Sequence, residues 1–128
     1  MKKKAIFKTV AQHLLQQGER ALSPDENSCA YRQPKSGLTC AIGCLITDAH
    51  YHTGLEDKTV IDSAVSEAVS KSIGSLITIT DSGLLSALQD IHDYDDIALW
   101  REKLNEVAEV YFETSLDELG VKTAEAIT

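Results

Sequence analysis

Cys29, Cys40 and Cys44 are the only thiols in the chain, and His50 and His52 follow them closely. Thiolate and imidazole are the usual ligands of a structural zinc site, so the three cysteines with His50 or His52 form one candidate set. The spacing suits it poorly: three residues separate Cys40 from Cys44, and there is no two-residue knuckle. The same groups could instead serve covalent catalysis. Cys44 or Cys40 would be the nucleophile, His92 its base, and Asp93 or Asp95 the carboxylate orienting the imidazole. No glycine-rich oxyanion string accompanies the cysteine, although Gly43 stands beside Cys44. A plainer expectation competes with both, because free cysteines are commonly small buried hydrophobes. His92 would then close a helix, where a cationic imidazole suits the dipole. Three thiols cannot all pair within one chain, and reduced cysteines are the default without an export signal. A Cys29–Cys40 disulfide across a hairpin remains open in an oxidising preparation.

Two further groups of residues could bind rather than react. Tyr31, Arg32 and Lys35 form the one polar-aromatic cluster in the first half, and Arg32 could make a charge-assisted contact to an anion. Equally, Arg32 could cover apolar surface and pair with an acid of the chain itself. No phosphate-cradling glycine motif is present, so a nucleotide site has no support. The second group is acidic: Asp90, Asp93, Asp95, Asp96, Glu102, Glu106, Glu109 and Glu113 lie on or between two expected helices. They could face a basic partner protein, one that normally grips DNA for instance, or simply be solvated, with Asp95 and Asp96 as helix caps.

The bulk numbers set the frame. At 128 residues the chain is expected to be a single domain, 1–128, large enough to bury a core. Its net charge of -8 is lopsided. Residues 1–64 hold 8 Lys/Arg against 7 Asp/Glu, whereas residues 65–128 hold 4 against 13. That balance argues against direct nucleic-acid binding, which wants a basic face. Apolar runs are too short to span a membrane, and no apolar stretch follows the basic MKKKAIF start, so a cytoplasmic protein is expected.

Helical periodicity must position these groups. Ile6, Phe7, Val10, Ala11, Leu14 and Leu15 mark a helix over residues 4–17 that ends at Gly18 and turns His13 outward. Ser23-Pro24-Asp25-Glu26 reads as a short helix start or loop. Cys29–Arg32 and Leu38–Cys40 flank a Pro- and Gly-containing turn, which predicts a small β-hairpin near residues 29–40. Cys40–Leu45 predicts a buried turn or short helix, and residues 54–59 a loop. Thr59 and Asp62 resemble a capping box for a second helix carrying Val60, Ile61, Val65, Val69 and Ile73, ended near Gly74. Leu76–Ile79 alternates like a short extended piece. Thr80 or Asp81 would cap a third helix with Leu84, Leu85, Leu88 and Ile91. Asp93–Asp96 breaks it and caps a last helix, whose stripe is Ile97, Trp100, Leu104, Val107, Ala108 and Tyr111. The tail from Val121 is expected to fray.

In this order the chain resembles a family of small uncharacterised proteins of tailed phages and prophages. The likeness rests on Ile6-Phe7 through Leu15; on Cys29-Ala-Tyr-Arg32; on Gly37-Leu-Thr-Cys40-Ala-Ile-Gly-Cys-Leu-Ile46 with Asp48 and Tyr51; on Leu55-Glu56; and on Leu88-Gln89-Asp90-Ile91-His92-Asp93 with Trp100. The resemblance implies a phage accessory protein made in the bacterial cytoplasm, and it carries no catalytic residues across. The expectation is therefore a mainly α (α+β) fold of four to five helices around one core. Trp100, Leu104, Leu88, Val65, Val69, Leu14 and Val10 are its expected centre. Functionally, the chain is expected to bind a bacterial host or defence protein, with inhibition as one outcome, and to have neither enzymatic activity nor a cofactor. A zinc-stabilised module and a small cysteine-dependent enzyme are the alternatives.

Overall fold

The computed structural model describes residues 3–23, 29–56, 58–59, 62–75 and 79–121, with residues 79 and 80 described by their backbone alone. Four α-helices carry it: α1 (Lys3–Gln17), α2 (Ser63–Ile73), α3 (Ile79–Tyr94) and α4 (Trp100–Phe112). The fold is mainly helical, as the periodicities predict. Helices α1, α3 and α4 pack on one another, and α2 lies against the turns at Gly43–Leu45 and Asp48–His50. The apolar stripe of α1 is fully used, with Ile6, Phe7, Val10, Ala11 and Leu14 buried. Phe7 meets Phe112 of α4 with ring centroids 5.5 Å apart. All seven residues expected at the centre are buried. Each large side chain withdrawn from water in this way contributes about 1.5–3 kcal/mol.

Local signals explain the helix ends. Gly18 (φ 66°) and Gly74 (φ 74°) take left-handed conformations that close α1 and α2. Asp62 alone caps α2, its carboxylate accepting from the Ala64 N–H at 2.9 Å. Thr59 instead accepts the Asp62 N–H through its carbonyl, so the expected capping box is a single aspartate cap. Helix α3 begins at Ile79, which places Thr80 and Asp81 inside its first turn rather than at its cap. Asp96 caps as expected, accepting from the Ala98 N–H, but it opens a short 3-10 turn, Ile97–Leu99, that leads into α4. That turn rotates Ile97 out of the apolar stripe, and it lies 37% exposed. Val121 is buried, and the rest of the tail, 122–128, lies outside the described residues. Pro24, Asp25 and Glu26, the start of the second helical stripe at Val60 and Ile61, and Leu76–Thr78 lie outside the described residues.

The expected β-hairpin near residues 29–40 does not form. Among the described residues there is no strand, only isolated bridges pairing Leu22 with Cys29 and Arg32 with Thr39. The reason is that the backbone donors a second rung would use are taken elsewhere. The Ala30 N–H donates to the Ala21 carbonyl. The N–H groups of Tyr31 and Arg32 donate to the two carboxylate oxygens of Glu56, at 2.9 and 3.2 Å. On the other arm, Gln17 grips Thr39, its amide nitrogen donating to the Thr39 carbonyl and its amide oxygen accepting the Thr39 N–H. Side chains of α1 and of the Thr53–Leu55 turn region thus stand in for neighbouring strands. Cys40 then turns directly into Gly43–Leu45, burying Cys40, Ala41, Ile42, Leu45 and Ile46.

Candidate functional site

The C-terminal turn of α3 and the segment after α1 meet in a polar cluster centred on a buried histidine. His92 is fully buried. Its Nε2 accepts the Ala21 N–H at 3.0 Å, and its Nδ1 lies 2.8 Å from Asp93 Oδ1. Because a backbone N–H can only donate, Nε2 carries the lone pair and the proton sits on Nδ1, donated to Asp93. Gln89, one turn earlier, donates its amide to the same Asp93 oxygen at 2.8 Å and accepts the Ile42 N–H. Trp100 stacks on the imidazole, centroids 5.8 Å apart, and its indole N–H donates to the Asp95 carbonyl. Arg20 closes the cluster by donating to the carbonyls of His92 and Asp95. No buried side-chain nitrogen or oxygen among the described residues lacks a partner.

Cys29 is the thiol that reaches this cluster. Burial first, and then the Asp93 carboxylate to which it hydrogen-bonds, push its pKa up to about 11. Cys29, His92 and Asp93 each offer a ligand atom, all within 4.8 Å of one another, and they are the one such group among the described residues. The expected zinc set of Cys29, Cys40, Cys44 and His50 is therefore not assembled. Cys40 is buried and its sulfur accepts the Gly43 N–H. Cys44 donates to the Ala41 carbonyl. His50 ends the Asp48–His50 turn and His52 is exposed. Even the group that does converge is a poor metal cradle. A metal on Nδ1 would move the imidazole proton to Nε2, against the Ala21 N–H, and the Arg20 cation stands nearby.

The catalytic set expected from sequence is split. His92 and Asp93 adjoin, but with Cys29 in place of Cys44, and His92 already spends its basic nitrogen on a backbone amide. Burial raises the Cys44 thiol to about 12 and Cys40 further still. All three cysteines are free thiols, and none has the depressed pKa that nucleophilic sulfur needs.

Tyr31 is buried, so it belongs to the core and not to a binding surface. Arg32 is reachable. Its guanidinium lies 4.4 Å from the Tyr51 ring centroid, donates to the Ile46 carbonyl at 2.7 Å, and pairs with Asp48 at 2.7 Å. Tyr51 is braced in turn by Glu56, which accepts its hydroxyl at 2.6 Å. Lys35 sits at the exposed turn.

Apart from Asp90, exposed on α3, the acidic residues separate into two kinds. Asp93, Asp95 and Asp96 have structural duties: the cluster, the carbonyl shared by Trp100 and Arg20, and the cap. Glu102, Glu106, Glu109 and Glu113 are all exposed. Glu102, Glu106 and Glu109, four and three residues apart, share one face of α4, a stripe about 10 Å long at 1.5 Å per residue, and Glu113 follows it as the C-cap in a left-handed conformation (φ 52°). Exposed apolar side chains occur close by in sequence, Tyr94 at 79%, Leu99 at 43% and Val110 at 77% exposure. No family model, curated protein or solved structure matches this chain.

Proposed function

We propose that the protein is a non-enzymatic binding protein that docks a basic bacterial protein on the exposed face of α4. The observation that carries this is the exposed glutamate stripe, of which only Glu102, in the first turn of α4, is favoured by the helix dipole. Like charges at three- and four-residue spacing repel, and Glu109 and Glu113 stand at the negative end of the helix dipole. The last turn of α4 holds no basic residue to offset them. Glu106 has one ion pair, 3.7 Å from Lys103, and Glu102, Glu109 and Glu113 have none with another described residue. A surface that costs stability in the free chain fits a role realised when a partner neutralises it. Val110 and Leu99 would supply the apolar centre that such an interface needs. The resemblance to tailed-phage proteins gives the setting: an accessory protein acting on a host or defence protein in the bacterial cytoplasm, and blocking it. The raised thiol pKa values favour binding over cysteine catalysis.

The test is affinity capture from bacterial lysate with the wild-type chain and with the variant E102Q/E106Q/E109Q/E113Q. Wild type should retain a stoichiometric basic protein that elutes as salt rises, and the variant should not. Equal retention by both baits would contradict the assignment of this face.

A further inference from the structure

The buried polar atoms of the cluster around His92 all have partners and the α4 face is already assigned, which leaves the cavity beside Arg32. It is a groove of about 470 Å³ between α1 and the turns at 33–48, with Arg32, His13, Thr39, Cys44, Leu38 and Ile46 among its lining residues. Its size falls within the range of ordinary small-molecule sites.

We infer that this groove binds a small molecule bearing a carboxylate, and that Arg32 is the residue that grips it. Three observations lead there. First, the guanidinium is held before any ligand arrives, by the Tyr51 ring at 4.4 Å and the Ile46 carbonyl at 2.7 Å. A fork so fixed loses little freedom when it pairs. Second, its remaining edge already holds a carboxylate. Nη1 donates to Asp48 at 2.7 Å, and the Asp48 side chain is 97% exposed against 26% for Arg32. An ion pair with so exposed a partner is weak. A ligand carboxylate can therefore displace Asp48 while Arg32 keeps its other two contacts, and the planar anion matches the fork. Third, the groove offers the rest of the ligand a polar but uncharged wall. His13 Nε2 lies 2.8 Å from Thr39 Oγ1 and 3.1 Å from the Thr39 carbonyl. Burial holds the His13 pKa below the ordinary histidine value, so Arg32 carries the positive charge of this site at neutral pH. Leu38 and Ile46 add apolar surface. This inference uses none of the residues of the α4 face.

The experiment is an NMR titration of the full chain with succinate and benzoate at constant ionic strength, following the Arg32 side-chain N–H and the amides of Thr39, Gly43 and Cys44. Inorganic phosphate and uncharged succinamide serve as comparison probes. Saturable shifts at these positions with a carboxylate are expected. Asp48→Asn removes the internal competitor from an exposed position and should tighten binding about two- to fivefold. Arg32→Lys keeps the charge but loses the fork, and should weaken it by about tenfold or more. Lack of saturation by either carboxylate in wild type and Asp48→Asn alike would overturn the inference. So would equal shifts with succinamide, saturation by phosphate alone, or an affinity indifferent to Arg32→Lys in a variant that keeps its amide dispersion.

Discussion

Gly43 shows how closely the central segment is fitted. A Cβ built there falls on the Tyr31 carbonyl oxygen, so the position needs glycine for close approach rather than for an unusual φ. The neighbour is backbone, and that backbone is pinned by Glu56 and by the Cys40 N–H. Gly43→Ala must therefore push apart two segments that the rest of the core holds together. The expected cost is about 3 kcal/mol, read as a lower midpoint in urea unfolding with an unchanged slope. A loss under about 0.5 kcal/mol would mean that the segment is far looser than its hydrogen bonds imply. The same tightness explains the cysteines. Cys40 and Cys44 are spent on packing and on short local hydrogen bonds, and Cys29 on Asp93. Thiols that look reactive as a group in sequence are each occupied separately.

At the scale of elements, α4 gives the sharpest prediction. Replacing Glu109 and Glu113 by glutamine removes like-charge repulsion and an unfavourable interaction with the helix C-terminus, each worth a few tenths of a kcal/mol, whereas Glu102 lies in the first turn, where the dipole favours it. The variant E109Q/E113Q should be more stable than wild type by about 0.5 kcal/mol and melt about two degrees higher. The gap should narrow as salt screens the wild-type stripe. A variant that melts lower would show that the glutamates serve the fold. The helices themselves were legible in the sequence, because periodic apolar stripes such as Ile6 to Leu14 report burial directly. The hairpin was misread for a definable reason. Local turn chemistry at residues 33–37 is real, but the partners that cancelled the ladder, Glu56 and Gln17, lie about twenty residues away and carry no periodic signal. The candidate sites were legible only in part. His92, Asp93, Arg32 and the α4 glutamates could be named as residues, whereas Gln89, Arg20, His13 and Glu56 were missed as functional neighbours. Only the four-residue spacing of Gln89 and Asp93 on one helix hinted at their meeting.

For the whole molecule, the buried titratable groups define a pH window. Burial lowers the His13 pKa from 6.5. The unfolded chain thus takes up that proton first as pH falls, and stability declines below about pH 6.5. The cysteines act in the opposite sense. Cys29 and Cys44 are raised from 9.0 to about 11 and about 12, and Tyr51 from 10.0 to about 12, by burial above all. Unfolding lets them ionise earlier, so stability is fully present below about pH 9 and is lost as pH climbs through these raised values. Urea midpoints should therefore form a plateau between about pH 7 and 8.5 and fall on both sides. A midpoint that keeps rising beyond pH 10 would contradict the burial of these thiols and of Tyr51.

Above all, α4 is proposed as the face that meets a partner. Amide hydrogen exchange of the purified complex, compared with the free chain, tests it most directly. Slowed exchange over residues 94–113, with the amides of 33–48 unchanged, is the expected result. Protection centred on 33–48, or no added protection along α4, would contradict it.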